Sequence, residues 1–317
     1  MVGIARVLGA DPTQPLPSSQ IRSIRMGTTV ATNALLERTG TPTVLAITSG
    51  FGDMLRIGYQ ARPRIFDLEI TVAEPLHDHV VEVEERVDAD GGLIAALDEE
   101  RLATDLRRAH DDGYRALAVV LMHGHAHPDH ERRVAAVARD VGFTQISCSH
   151  EVSPLARIVA RGDTSVVDAY LSPVLHRYVA RLREAVGPTA NLRFMQSNGG
   201  LTAAAAFRGK DAILSGPAGG VVGMVETGRA VGHERLIGFD MGGTSADVTH
   251  FDGRYERSYE TEIAGVRLRT PMLQIHTVAA GGGSVLHFDG ARYRVGPDSA
   301  GADIPDRPAT AAAGPWP

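Results

Sequence analysis

Asp240, two glycines and two hydroxyl residues stand together in the run GFDMGGTSADVTHFDG at 238–253, and their spacing is that of an anion-binding turn. Apolar residues on either side read as two strands, the first ending at Asp240 and the second resuming after a tight Gly-Gly-Thr-Ser turn. Gly242 and Gly243 admit positive φ and close backbone approach, Thr244 and Ser245 add hydroxyl donors, and a carboxylate at Asp240 is placed to hold a hydrated Mg²⁺ beside a phosphate. Asp240 and Thr244 are therefore the candidate catalytic residues, with Asp240 also the candidate metal ligand and Gly242, Gly243 and Ser245 the candidate phosphate contacts. The same composition also makes an ordinary hairpin turn with nothing bound, so the motif gains weight only from its company.

That company is close in sequence. LSGPAGG at 214–220 reads as a loop opening a helix whose first N–H groups favour an anion, which adds Ser215, Gly216, Gly219 and Gly220 to the cofactor-binding set. HTVAAGGGSV at 276–285 enters as a strand and then presents Gly281, Gly282, Gly283 and Ser284, where backbone can lie against a flat or charged ligand. MQSNGG at 195–200 ends a further strand in a turn containing Asn198. In GTTVATNALL at 27–36 a strand ends at Met26, and Thr28, Thr29 and Asn33 gather at a helix start suited to a carboxylate or phosphate. Capping explains one threonine there but not the whole set. Asp53 and Arg56, with Arg62, in GFGDMLRIGYQAR either face a substrate or pair with one another on the surface. Thr28, Thr29, Asn33, Asp53, Arg56 and Asn198 form the candidate substrate set.

GTTVATNALLERTG, TSGFGDMLRIG, DTSVVDAYLSPVL, MQSNGGL, LSGPAGGVVG, FDMGGTSADV, PMLQIHTVAAGGGSV and VGPDSAGAD occur in that order and together resemble the hydantoinase A/5-oxoprolinase family, which also includes acetone and acetophenone carboxylase subunits. The resemblance implies an α/β, actin-like (ribonuclease-H-like) ATPase fold of two lobes, with 238–253 as its hairpin phosphate loop. It also implies ATP and Mg as cofactors and a small cyclic amide as substrate, a hydantoin or 5-oxoproline opened through phosphorylation of the amide oxygen. A hydantoinase B-type subunit would be the partner in a hetero-oligomer. A ketone carboxylase subunit, another actin-like phosphotransferase and an inactive remnant are the competing readings.

Departures from the pattern shape the expected organisation. The family's first phosphate loop, Asp-x-Gly-Gly-Thr-Phe-Thr-Asp, does not precede Gly27, and Met26 stands where the family commonly has His. Residues 1–160 are expected to be the C-terminal part of the first lobe, 161–303 the N-terminal part of the hydantoinase A lobe, and 304–317 an aberrant tail, leaving both lobes incomplete. Codons for Pro305–Trp316 chosen from a GC-rich set and read from the third base give Gly-Pro-Ala-Cys-Tyr-Arg-Arg-Gly-Gly, the family's continuation. A frameshift near Ile304 is the corresponding expectation, and an Ala/Pro-rich linker is the alternative. Little ring-opening activity is expected of residues 1–317 alone.

Composition narrows the class. A net charge of −6 on 317 residues argues against a general nucleic-acid or anionic-membrane binder, which needs clustered cations to displace counterions. Apolar runs such as ALAVVLM at 116–122 are far short of a membrane span, and a cytoplasmic location is the default. The single cysteine, Cys148, excludes an internal disulfide and sits in the strand-like QISCS, which favours a structural role over a nucleophilic one. HGHAHPDH at 123–130 invites a metal reading, but a solvated loop leading to a helix near Pro128 accounts for it better.

The elements that must position these residues alternate. Strands are expected at 42–48, 114–123 and 144–149 and helices at 98–113, 128–142 and 163–187, preceded by a helix through Met1–Leu8. The segment IFDLEI at 65–70 reads as the start of an extended excursion.

Overall fold

The computed structural model describes residues 2–11, 21–60, 66, 68–69, 73–187 and 191–300. The linker residues 12–20, Arg62, half of the IFDLEI segment and the whole of 304–317 lie outside the described residues.

The chain opens with α1 (Val2–Val7), β1 (Ile24–Met26) and α2 (Val30–Leu36). β2 (Thr43–Thr48), α3 (Met54–Ile57), β3 (His79–Val83) and the small hairpin β4 (Arg86–Val87) and β5 (Leu93–Ala95) follow. Then come α4 (Glu99–Asp111), β6 (Ala116–Val120), α5 (Asp129–Val141) and β7 (Gln145–Cys148). Strands β3, β2, β6 and β7 form one parallel sheet in that order, with Val44 opposite Leu117 and Ala118 opposite Ser147. Every residue of β2 and β6 is buried, because helices cover both faces and no polar side of the strand is needed. Alternation survives in which face each residue serves. Val44, Ala46, Leu117 and Val119 pack with Leu106 of α4 and Val134 of α5, whereas Leu45, Ile47, Ala118 and Val120 pack with Leu35 of α2. Helix α4 starts where the acidic signal places it: the Asp98 carboxylate accepts from Arg101 N at 3.0 Å, and Glu99 and Glu100 fill the first turn.

α6 (Ser149–Val152) and α7 (Ile158–Val186) come next, then β8 (Leu192–Met195), β9 (Leu201–Ala203) and α8 (Ser215–Ala230). Helix α7 begins five residues before the expected Asp163, after Arg157 in a left-handed conformation (φ 72°), and it continues through Pro173. Its apolar residues, Val167, Leu171 and Leu175 among them, supply much of the core, and that burial outweighs the hydrogen bond lost at the proline. β8 pairs parallel with β1, Met26 opposite Phe194, so the loops after both strands leave from the same end.

The last part contains β10 (Arg235–Met241), β11 (Ala246–Asp252), β12 (Arg257–Ser258), β13 (Thr261–Ile263), β14 (Val266–Leu268) and β15 (Met272–Leu273). β16 (His276–Val278), β17 (Ser284–Phe288) and β18 (Tyr293–Ser299) complete the described chain. By packing, the larger of two compact units holds the residues up to Gly219 together with Arg257–Met272, and the smaller holds Gly220–Glu256 with the described residues from Leu273 onward. The returning segment is a hairpin whose turn, Ala264 (φ 52°) and Gly265 (φ 75°), has the two positive φ values of a type I′ turn. It is fixed to α7 by Arg267 Nε on Asp163 Oδ2 at 2.6 Å and by Arg269 N on Thr164 Oγ1 at 2.9 Å. Among the described residues no helix is long and apolar enough to cross a membrane.

Candidate active site

In the smaller unit β10 and β11 form the expected hairpin, with Asp240 opposite Asp247 and Met241 opposite Ala246. Gly242 N donates to Ser245 O at 2.8 Å and closes the turn. Neither Gly242 nor Gly243 takes a positive φ, so the expectation that these glycines serve by backbone handedness is corrected. Space explains the glycines of the facing loop. Gly282 N donates to Gly242 O at 2.9 Å and Gly283 N to Gly243 O at 2.7 Å, bringing the 281–284 loop onto the hairpin tip. A Cβ at Gly281 would stand 2.6 Å from Gly242 O and 2.7 Å from the Gly243 carbonyl carbon, an approach that only glycine permits. Ser284 is occupied within this loop, its Oγ accepting from Gly281 N at 2.8 Å.

What remains open at the tip is chemically specific. Gly243, Thr244 and Ser245 donate their main-chain N–H groups to no described acceptor, and Gly243 and Thr244 are exposed. The Asp240 carboxylate is exposed and has no partner among the described residues, whereas its cross-strand neighbour Asp247 accepts from Thr277 Oγ1 at 2.7 Å. Three adjacent free N–H donors beside a free carboxylate fit a phosphate and the cation that accompanies it.

The larger unit gathers a second set. Ser215 is fully buried, and its hydroxyl accepts from Thr28 N at 3.1 Å while donating to Thr28 O at 2.8 Å. Thr32 Oγ1 accepts from Leu214 N at 2.9 Å, and a Cβ at Gly27 would stand 3.0 Å from Gly216 Cα. The loop after β1 is thus stitched to the start of α8. Ser215–Gly220 are already in the first turns of that helix rather than in a loop preceding it, and Gly219 lies against Met195 while Gly220 begins the smaller unit. Thr28 is buried and its Oγ1 accepts from Val30 N at 3.2 Å; Thr29 and Asn33 are exposed with no described side-chain partner. Asn198 Oδ1 is taken by Gly200 N at 2.7 Å, which closes its own turn. Thr29, Asn33 and the amide nitrogen of Asn198 are the free polar groups of this set.

Asp53 precedes α3 without capping it, and Arg56 on the same helix is exposed with no described partner, so the two do not pair with each other. Arg56 lines a cavity of about 350 Å³ together with Asp163 and Arg267. Asp163 and Arg267 went unnoticed in the sequence because they meet across 104 residues, a separation that leaves no local signal.

The histidine run disperses. His125 Nδ1 lies 3.1 Å from Arg161 Nη1, His127 Nε2 lies 3.1 Å from Ala89 O, and His130 Nδ1 lies 2.7 Å from Glu85 Oε2. Burial, with the Arg161 guanidinium beside it, pushes the His125 pKa down. Among the described residues no group of three or more His, Cys, Asp or Glu is arranged to hold a metal ion. Cys148 is buried and its thiol pKa is pushed up to about 12, by burial first and by Glu131 and Glu151 next, so it is a poor nucleophile.

Two family models account for nearly the whole chain: Hydantoinase/oxoprolinase N-terminal region matches residues 1–142 and Hydantoinase/oxoprolinase matches residues 161–314. The chain is 47% identical over 314 residues to 5-oxoprolinase 1 of Arabidopsis thaliana, a match covering 92% of this chain and 25% of that protein. Caprolactamase subunit alpha of Pseudomonas jessenii is 35% identical over 312 residues, covering 95% of this chain and 44% of that one. The chain therefore spans about a quarter of the length of the 5-oxoprolinases it matches. The crystal structure of the ATP-dependent caprolactamase from Pseudomonas jessenii superposes with a TM-score of 0.80 at 33% identity, covering 94% of this chain and 45% of that one. Nucleotide-free acetone carboxylase superposes with a TM-score of 0.77 at 23% identity, covering 93% of this chain and 44% of that one, a likeness of fold. The fold is thus the mixed α/β fold of the actin-like ATPases, and the chain belongs to the hydantoinase/oxoprolinase family.

Proposed function

We infer that the chain provides the nucleotide-handling part of an ATP-dependent cyclic amidohydrolase. The observation that carries this reading is the hairpin tip, where three free N–H donors and an unpartnered Asp240 carboxylate are held against a glycine loop that a single methyl group would displace. Gly243, Thr244 and Ser245 would hold phosphate oxygens, and Asp240 would hold Mg²⁺ with the help of water and phosphate, the coordination that this small ion favours. ATP, when bound, supplies a phosphoryl group for the amide oxygen of the ring. The donors at the tip then stabilise charge on the transferred group, which is the main contribution a protein makes to such a transfer. Gly281, Gly282, Gly283 and Ser284 complete the nucleotide set at the tip in this reading; at the start of α8, Gly216, Gly219 and Gly220 are proposed as further anion contacts and Ser215 as the residue that holds Thr28 in place. Thr28, Thr29, Asn33, Asp53, Arg56 and Asn198 form its substrate set.

The relative named caprolactamase subunit alpha supports a multi-subunit enzyme, and we infer a hydantoinase B-type partner, a small lactam or cyclic imide as substrate and a cytoplasmic setting where ATP and Mg²⁺ are abundant. Residues 1–160 and 161–303 correspond in this reading to parts of the first and second lobes. The test has two arms. A fluorescent ATP analogue titrated into the purified chain should bind in a Mg²⁺-dependent manner, more weakly after Asp240→Asn; absence of binding overturns the nucleotide reading. Placed within a protein of its relatives' full length and combined with a B-type subunit, the chain should couple ATP hydrolysis to opening of 5-oxoproline, hydantoin or caprolactam, whereas residues 1–317 alone should show little such activity. ATP-dependent carboxylation of acetone in place of ring opening would assign it to the carboxylases.

A further inference from the structure

The cavity between α3, α7 and the returning hairpin is built around a fixed ion pair. Asp163 and Arg267 meet at 2.6 Å with side chains only 13% and 29% exposed, and Arg267 Nη2 donates to Leu55 O at 3.1 Å. A Cβ at Gly58 would stand 2.4 Å from Arg267 Nη1, so the guanidinium lies directly against the chain there. Leu55, Val166 and Val266 supply an apolar wall. Burial pushes the Asp163 pKa up, against the pull of Arg267, and pushes that of His77 down, so His77 is a neutral imidazole at neutral pH.

With Asp163 and Arg267 satisfied by each other, the groups left to meet a ligand are Arg56, His77, Glu74 and Glu262, whose side chains have no described hydrogen-bond partner. Both signs are present among them, two carboxylates against one guanidinium. A simple anion would face two free carboxylates, a simple cation would face a free guanidinium, and an uncharged apolar compound would strand both. A small molecule carrying both charges satisfies all of them, and 350 Å³ is on the scale of a small-ligand pocket.

We propose that this cavity binds a small zwitterion of the amino-acid class, its carboxylate on Arg56 and its ammonium group on Glu74 and Glu262. The site goes beyond the nucleotide reading and does not depend on it. Opening a lactam leaves an ammonium or amine at one end of a chain and a carboxylate at the other, so the ligand class includes the product of the proposed reaction on a lactam; only that link rests on the proposed function.

Calorimetry on the full chain without nucleotide, using glycine, L-glutamate and 6-aminohexanoate, tests the proposal, with butyrate and butylamine as probes that carry one charge each. At least one zwitterion should bind about tenfold or more tightly than either single-charge probe, the difference one charge-assisted contact makes. Arg56→Ala and Glu262→Ala, both at exposed positions, should each weaken that zwitterion by about tenfold while leaving the melting temperature unchanged, and Glu262→Ala, which lies outside the proposed substrate and nucleotide sets, should also leave the binding of the fluorescent ATP analogue unchanged. Equal binding of single-charge probes, no effect of either substitution, or no zwitterion bound at about 10 mM, weaker than the millimolar affinity of a minimal site, would overturn it. Amino-acid binding that persists while ATP-analogue binding fails would overturn the nucleotide reading and leave this one standing.

Discussion

Ser215 and Thr244 are both hydroxyl residues beside glycines, yet one is fully buried and doubly bonded to Thr28 while the other is exposed at a turn with a free N–H. At the Ser215 junction close backbone approach serves the fold: Gly27 lets the loop after β1 touch α8, and the available hydrogen bonds are spent on holding it there. At the 240–245 hairpin close approach serves a surface, because Gly281 brings a second loop onto the tip and leaves the donors of Gly243–Ser245 without acceptors. Glycine and hydroxyl composition alone does not separate these two uses. The count of unsatisfied donors does, since a buried unpaired donor is costly and an exposed one is available to a ligand.

The contrast is broken most directly at Asp240. Asp240→Asn removes a charge that no described residue partners, so thermal stability should stay within about 0.5 kcal/mol of the parent. Mg²⁺-dependent affinity for an ATP analogue should fall about 10- to 100-fold, the range for losing a charged contact. A large drop in melting temperature with affinity intact would make Asp240 a structural residue. Gly281→Ala comes next. Its new methyl group would meet Gly242 O at 2.6 Å, and pushing the two loops apart should cost about 1–3 kcal/mol and lower nucleotide affinity with it. Gly243→Ala provides the matching control, with nothing within 4 Å of the added Cβ: stability should be nearly unchanged, and only binding should respond. Equal destabilisation by the two alanines would sink the role given to the glycine loop.

Ser215→Ala should behave in the opposite sense. It leaves Thr28 N and Thr28 O without their buried partner, at a cost of about 1–3 kcal/mol in denaturant unfolding. Nucleotide affinity should move by less than about threefold if the hydroxyl acts only between main-chain groups, a difference of well under 1 kcal/mol. A loss of affinity larger than the loss of stability would return Ser215 to the nucleotide set as a direct ligand.

How much of this was legible in the sequence follows from how local each cause is. β2, β6, α4 and α5 were readable because burial on both faces makes continuous apolar runs and burial on one face makes a helical stripe, both written within a dozen residues. The hairpin at 240–245 was readable from its Gly-Gly-Thr-Ser turn between two apolar segments, a local signal that does not depend on burial, since β10 is largely exposed. The start of α8 was misread as a loop because its first turns hold Gly216, Gly219 and Gly220, residues of low helix propensity held in place by contacts with Thr28 and Met195. The return of 257–272 to α7, and with it the cavity of Asp163 and Arg267, depends on partners 104 residues apart that no window captures.

Cys148, buried in the larger unit, gives the smallest effect at neutral pH and a defined one in alkali. Burial holds its folded-state pKa near about 12, against an unfolded value of 9.0, so folding favours the neutral thiol. Below pH 9 both states carry the proton, and its full contribution is present. As pH rises above 9 the unfolded thiol ionises while the folded one does not, and stability drains until the folded pKa is passed, at about 1.4 kcal/mol per pH unit from this one group. Cys148→Ala costs about 1 kcal/mol at pH 7 through the small cavity it leaves, but it also removes this alkaline slope. Urea unfolding of parent and variant from pH 8 to 10.5 should therefore show the gap between them closing as pH rises, and a thiol reagent should label the parent only after unfolding. A gap that stays constant across that range, or ready labelling of the folded chain at pH 8, would mean that the thiol is open to water and that the enclosure of the larger unit at β7 is incomplete.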